Sequence, residues 1–135
     1  MARGLLNGWA VSPRLLIVDD EKPLCWAMER FFCAVGYSVE CAHELGGAMT
    51  VLGARSFDLV ISDLRMSGLA FEEGLALADF IHGHVPNTRM VMLTAHCTPE
   101  LEKRARGRGV DLVLPKPQPL PELARHVSHL LRPSP

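Results

Sequence analysis

The sequence predicts an α/β domain built on a parallel sheet, and three observations carry that prediction. Five short apolar runs recur along the chain: "LLIV" (15–18), "YSVECA" (37–42), "DLVIS" (58–62), "MVMLT" (90–94) and "LVLP" (112–115). Helically spaced segments alternate with them through short connections. Three of the runs are nearly unbroken in Val, Ile, Leu and Met, as strands covered on both faces require, whereas "YSVECA" alternates and suits an edge.

The intervening segments justify the helices in turn. After the first strand, Leu24, Met28, Phe31, Phe32 and Val35 recur at helical spacing, and Gly36 stands where a helix-ending glycine belongs. Ala48, Val51 and Leu52 mark a second, shorter helix after Gly46 and Gly47. Leu75, Leu77, Ala78 and Ile81 mark a third, which Pro86 limits. Thr98 and Pro99 form an N-cap and first-turn pair for a fourth, whose body "LEKRARGRG" has few apolar anchors. Leu120, Leu123, Val127, Leu130 and Leu131 mark a fifth, with Pro121 near its start.

Composition narrows the function classes. The 135 residues suit one domain, with 48% hydrophobic and 21% charged residues as in an ordinary soluble protein. A net charge of −1 argues against a strongly basic nucleic-acid-binding module. Cys25, Cys33, Cys41 and Cys97 form no CxxC pair or metal spacing and read as reduced thiols in core or helix-face positions. The start has no signal-peptide core, and no stretch approaches the ~20 apolar residues of a membrane span, so a cytoplasmic location is expected.

Chemistry in doubly wound sheets gathers outside the carboxyl ends of the strands. The first run ends in Asp19 and Asp20, the third in Asp63, the fourth in Thr94 and the fifth in Lys116. Three carboxylates brought together repel and raise one another's pKa. A hard cation such as Mg²⁺, bound through carboxylates and retained waters, relieves that repulsion. A lysine adds a mobile cation, and a hydroxyl can donate to a phosphoryl oxygen. Such a set suits attack by one carboxylate on a phosphoryl group while cations offset the transferred charge.

With "LLIVDDE", "DLVISDLRM", "VMLTA" and "LPKP" in that order at strand ends, the chain resembles the response-regulator receiver domains of two-component signalling. The resemblance spans residues 12–132, leaving 1–11 as an extension and 133–135 as a tail. It implies a flavodoxin-like (βα)5 three-layer fold with strand order 2-1-3-4-5. It also implies Asp63 as phosphoacceptor, Asp20 as direct Mg²⁺ ligand, Asp19 acting on the metal through water, and the backbone carbonyl of Arg65 as a further ligand. Thr94 would bind the phosphoryl group, with Ala95 as its small neighbour, and Lys116 would pair with the acceptor across a cis Lys116–Pro117 bond. The donor would be a histidine kinase or phosphotransfer protein. The face of the fourth helix, fifth strand and fifth helix would engage a downstream effector or a second copy, in transcription regulation or other signalling. The resemblance implies no enzyme beyond the domain's own phosphorylation and dephosphorylation, and no direct contact with nucleic acid or membrane.

Three departures stand out. Val113 occupies the place of an aromatic that commonly couples to the hydroxyl. "DLRMSGLAFEEG" has Ser67 for proline and Gly74 later than usual, which reads as a small insertion in the loop before the third helix. Arg65 and His96 occupy the positions that tune phosphate loss. A receiver fold used as a constitutive interaction module without phosphorylation is the alternative. Glu21 reads as a helix start, Trp9 and Trp26 as packing residues, and the histidines other than His96 as surface or cap residues. The run Lys103, Arg104, Arg106 and Arg108 reads as a solvated helix face, or else a docking surface for an acidic partner.

Overall fold

A computed structural model describes residues 12–63 and 70–132 of the chain. The strands are β1 (Arg14–Asp19), β2 (Ser38–Ala42), β3 (Leu59–Asp63), β4 (Arg89–Thr94) and β5 (Leu112–Pro115). The helices are α1 (Lys22–Ala34), α2 (Leu45–Ala54), α3 (Ala70–His84), α4 (Pro99–Gly107) and α5 (Leu120–Leu131). All strand pairs are parallel, in the order β2-β1-β3-β4-β5. This is the flavodoxin-like fold expected, with "YSVECA" at an edge.

Period-two alternation divides the core into two layers. Leu15 and Ile17 of β1 and Leu59 and Ile61 of β3 face α1 and α5, where Cys25, Met28, Phe32, Leu123 and Val127 meet them. Leu16, Val18 and Val60 face the other way, against Ala48 and Leu52 of α2 and Leu75, Leu77, Ala78 and Ile81 of α3. β1, β3 and β4 therefore bury both faces along most of their length, and the polar groups gather at their ends.

The phase of α1 differs from the expected one. Its buried seam is Cys25, Met28 and Phe32, spaced i, i+3, i+7, which turns Leu24 and Val35 outward at 42% and 44% exposure. Val35 would continue the seam, but the helix ends at Ala34 and the chain reverses at Gly36, whose φ of +108° favours glycine. Trp26 lies two residues from Met28, nearly opposite the seam, and is exposed rather than packed. Trp9 lies outside the described residues.

The helix starts follow local chemistry. Thr98 caps α4 through Oγ1, which accepts the Leu101 N–H at 3.2 Å, with Pro99 in the first turn. Glu21 is the N-cap residue of α1, as a helix start should be. Gly46 and Gly47 fall inside the first turn of α2 rather than before it. The residues from Ala70 to Gly74, expected in an enlarged loop, form the start of α3. Ser67 and the rest of 64–69 lie outside the described residues.

The fourth helix has an unusual hold on the domain. Ala105 is its one fully buried side chain. Three arginines here are paired: Arg104 with Glu72 and Arg108, the C-cap residue, with Asp79, both partners on α3, and Arg106 with Glu102 on its own helix. Two of these pairs tie the basic segment to α3, and the groups involved stay exposed, as a solvated helix face requires. Exposed pairs are each worth about 0.2–1 kcal/mol and weaken with salt. Raising ionic strength, or the substitution Asp79→Asn, is expected to speed amide hydrogen exchange across α4 severalfold while β1 and β3 stay protected. Unchanged exchange in α4 would show that apolar contacts hold it instead.

Candidate functional site

The sheet order brings the polar strand ends together. β1 and β3 are neighbours on either side of the topological switch, and their last paired residues are Asp19 and Asp63. β4 lies beyond β3, and β5 beyond β4. Just past β5, the Lys116 N–H donates to the Thr94 carbonyl at 2.9 Å, extending the β4–β5 ladder by one bond. From there Lys116 Nζ reaches across the end of β4 and contacts Asp63 Oδ1 at 2.5 Å. Both side chains are largely enclosed, at 13% and 6% exposure. A buried pair of this kind loses heavily if one partner is removed, because the other charge is stranded.

Asp19 is fully buried, and its Oδ1 accepts the Glu21 N–H at 2.8 Å. Its Oδ2 is buried with no hydrogen-bond partner. Burial pushes the Asp19 carboxyl up to about 6, against the pull of the Glu21 N–H. Repulsion from Asp63, Asp20 and Glu21 adds to the rise. Asp20, next along the chain, is half-buried.

An orphaned carboxylate oxygen among like charges is the environment a hard cation suits. Among the described residues, no group of three or more His, Cys, Asp or Glu side chains forms a tight metal cage. Mg²⁺ does not require one, since it keeps several waters and takes one or two carboxylates. Asp20 and Asp63 could supply those two carboxylates, with Asp19 acting through a retained water. The expected carbonyl ligand on Arg65 lies outside the described residues.

Thr94 is half-buried at the end of β4, where its Oγ1 accepts the His96 N–H at 3.1 Å. The hydroxyl proton remains available for another acceptor. Ala95 and His96 are exposed beside it. The Lys116–Pro117 bond is cis, and the Gln118 side chain donates to the Pro115 carbonyl at 2.8 Å, bracing the end of β5. Val113 is buried in the layer of α3 and α4, together with Met92, Val110 and Ala105. Asp19, Asp63, Ala95 and Lys116 open onto a cleft of about 390 Å³, whose apolar wall includes Leu24, Ala27 and Leu120. Leu24, expected in the core, is part of that wall.

Sequence alone gives His43 no role among the surface histidines. Its Nδ1 lies 3.0 Å from the Asp19 carbonyl, at the end of β2. The signal was positional: β2 is the one strand whose carboxyl end shows no acid, hydroxyl or amine, and the residue just past it is this histidine.

Comparison with known proteins agrees with this geometry. The profile of the response regulator receiver domain family matches residues 15–128. Response regulator MprA of Mycobacterium tuberculosis is 30% identical over 122 residues, covering 90% of this chain and 52% of that protein. The DNA-binding transcriptional regulator NtrC of Salmonella typhimurium is 28% identical over 117 residues, covering 84% of this chain and 24% of that protein. The chain thus spans about half the length of the first relative and a quarter of the second. The non-phosphorylated HemR receiver domain of Leptospira biflexa aligns with a TM-score of 0.80 and 26% identity, over 92% of this chain and 98% of that one. Chemotaxis protein CheY4 of Vibrio cholerae gives 0.78 and 25%, over 90% and 100%. Sheet order, strand-end residues and the family match over most of its length all agree: the chain belongs to the response regulator receiver domains of two-component signalling.

Proposed function

We propose that this receiver takes a phosphoryl group onto Asp63 from a phosphohistidine of a histidine kinase or phosphotransfer protein. Asp19, Asp20 and Asp63, with the Arg65 carbonyl, would hold Mg²⁺. The observation that carries this reading is the enclosed Lys116–Asp63 contact beside the unpartnered Oδ2 of Asp19.

Lys116 engages one oxygen of the Asp63 carboxylate, and the other is the nucleophile. As that oxygen bonds to phosphorus, the donor P–N bond breaks and its electron pair stays on the imidazole nitrogen. Charge then accumulates on the phosphoryl oxygens, within reach of the Lys116 amine and the Thr94 hydroxyl proton. When bound, Mg²⁺ supplies charge neutralisation and an anchor for a phosphoryl oxygen. Asp63 is consumed and regenerated on the domain itself, so the role is phosphoacceptor rather than catalyst for other substrates.

Phosphorylation shifts a two-state equilibrium only through its different interactions with each state. Val113 is stiff at χ1 and cannot swing as an aromatic would. With one buried anchor, α4 is the element beside Thr94 that such a shift would move most readily. We infer that the face of α4, β5 and α5 then meets a protein effector or a second copy of the chain. The relatives named for transcriptional regulation support an output of that kind for the whole regulator. No helix among the described residues is long and apolar enough to cross a membrane.

Acetyl phosphate with Mg²⁺ is expected to add one phosphoryl mass to the chain, mapped to Asp63 by peptide mass spectrometry. Asp63→Asn should abolish it, and beryllofluoride should mimic it in the wild type alone. A chain that stays unmodified and shows no response to beryllofluoride would sink the phosphoacceptor reading.

A second expectation concerns stability. The Asp19 carboxyl is raised in the fold from an ordinary 3.8 to about 6. The folded state therefore binds more protons than the unfolded chain between those values. The favourable contribution is complete below the lower value and is lost as pH rises through the upper one. Without divalent cations, Asp19→Asn is expected to stabilise the domain by roughly 1–2 kcal/mol above neutral pH and to flatten this part of the pH profile. Thermal melts of the two proteins, from the acid range to above neutral pH, check it. A less stable Asn variant would mean that the charge is not a burden.

A further inference from the structure

We propose that His43 is a positioning residue for the metal site: its Nδ1–H holds the Asp19 carbonyl and so sets the peptide plane joining Asp19 to Asp20. The proposal rests on the reading of Asp19 and Asp20 as metal-binding acids.

The sheet ladder ends unevenly at β1. β1 pairs with β2 only as far as Val18 opposite Ala42, while on its other side it pairs with β3 as far as Asp19 opposite Asp63. The strand end is thus supported by backbone on one flank and not on the other. On the unsupported flank the Asp19 carbonyl meets His43 Nδ1 at 3.0 Å. A carbonyl has no proton to give, so the ring nitrogen is the donor, and that fixes the hydrogen on Nδ1. The side chain thus takes the place of the missing ladder bond.

Its consequence reaches beyond Asp19. The Asp19 carbonyl and the Asp20 N–H belong to one planar peptide group, so holding the oxygen fixes the direction in which Asp20 leaves the strand. The Asp19 side chain is fastened separately, by Oδ1 accepting the Glu21 N–H at 2.8 Å. One bond orients the carboxylate of Asp19, and the other orients the backbone that carries Asp20. Partners that orient metal ligands typically matter about 10–100-fold in metal affinity.

A purely structural role would predict something else: His43 would close the edge of the sheet, and its loss would lower stability without touching the metal. The two are separable because Asn Nδ2 occupies the place of His Nδ1, whereas Leu fills similar space with no donor. Mg²⁺ affinity is measured by calorimetry on the whole chain, with melting temperature in parallel. His43→Leu is expected to weaken Mg²⁺ binding about tenfold, and His43→Asn to stay within about threefold of wild type. Should His43→Leu fail to fold, His43→Ala carries the same comparison. Wild-type affinity in the donorless variant, or equal loss in both variants, overturns the positioning role. A wild-type chain that binds no Mg²⁺ sinks the metal reading itself, a result distinct from either.

Discussion

The Lys116 amine reaches Asp63 across a strand that belongs to neither of them, and much of this edge of the domain follows from that contact. β3 carries the carboxylate, β5 delivers the lysine, and β4 lies between them. β4 ends in Thr94, with Ala95 just past it, and these small residues leave room for the amine to cross. Its backbone is held by the Thr94 carbonyl, and the end of β5 by Gln118. Removing either charge of such an enclosed pair typically costs about 3–5 kcal/mol, because the survivor is stranded. The parallel sheet is therefore the means of holding a cation over a buried carboxylate.

That pair answers only one of the negative charges. Asp19 remains fully buried with one oxygen unpartnered, and the sheet register puts it directly beside Asp63. A fold selected for stability alone would place Asn or a hydrophobe there. Retaining the acid leaves a buried charge that the proposed Mg²⁺ would answer. α4 has one buried anchor and exposed ion pairs to α3. Elements held this lightly can shift when a neighbouring charge changes.

Most of this architecture was legible in the residues, for physical reasons. Strands buried on both faces read as continuous aliphatic runs, so their ends stood out as the first polar positions. Asp19, Asp63, Thr94 and Lys116 were found that way, and the sheet order gathers those ends along one edge. The helix phases were less legible. Leu24 and Val35 look like core by composition, but a small residue, Cys25, begins the seam of α1, its Sγ 3.7 Å from the Ile17 carbonyl of β1. The start of α3 was misjudged because "AFEEG" carries a glycine. A Cβ at Gly74 would meet only the mobile end of the Met92 side chain, at 2.8 Å, so a small shift of that methionine would make room. The pairing of α4 with α3, and the bond from His43 to Asp19, depend on contacts between distant segments that no local pattern encodes.

The central claim is that the buried Asp19 charge waits for a cation. The direct measurement is proton release on Mg²⁺ binding, by calorimetry in buffers of different ionisation enthalpy. With the Asp19 carboxyl near 6, binding at about that pH is predicted to release a fraction of a proton. Release should vanish about two units higher, where the group is already ionised. Binding without proton release at the lower pH, or no binding at either, would contradict the account.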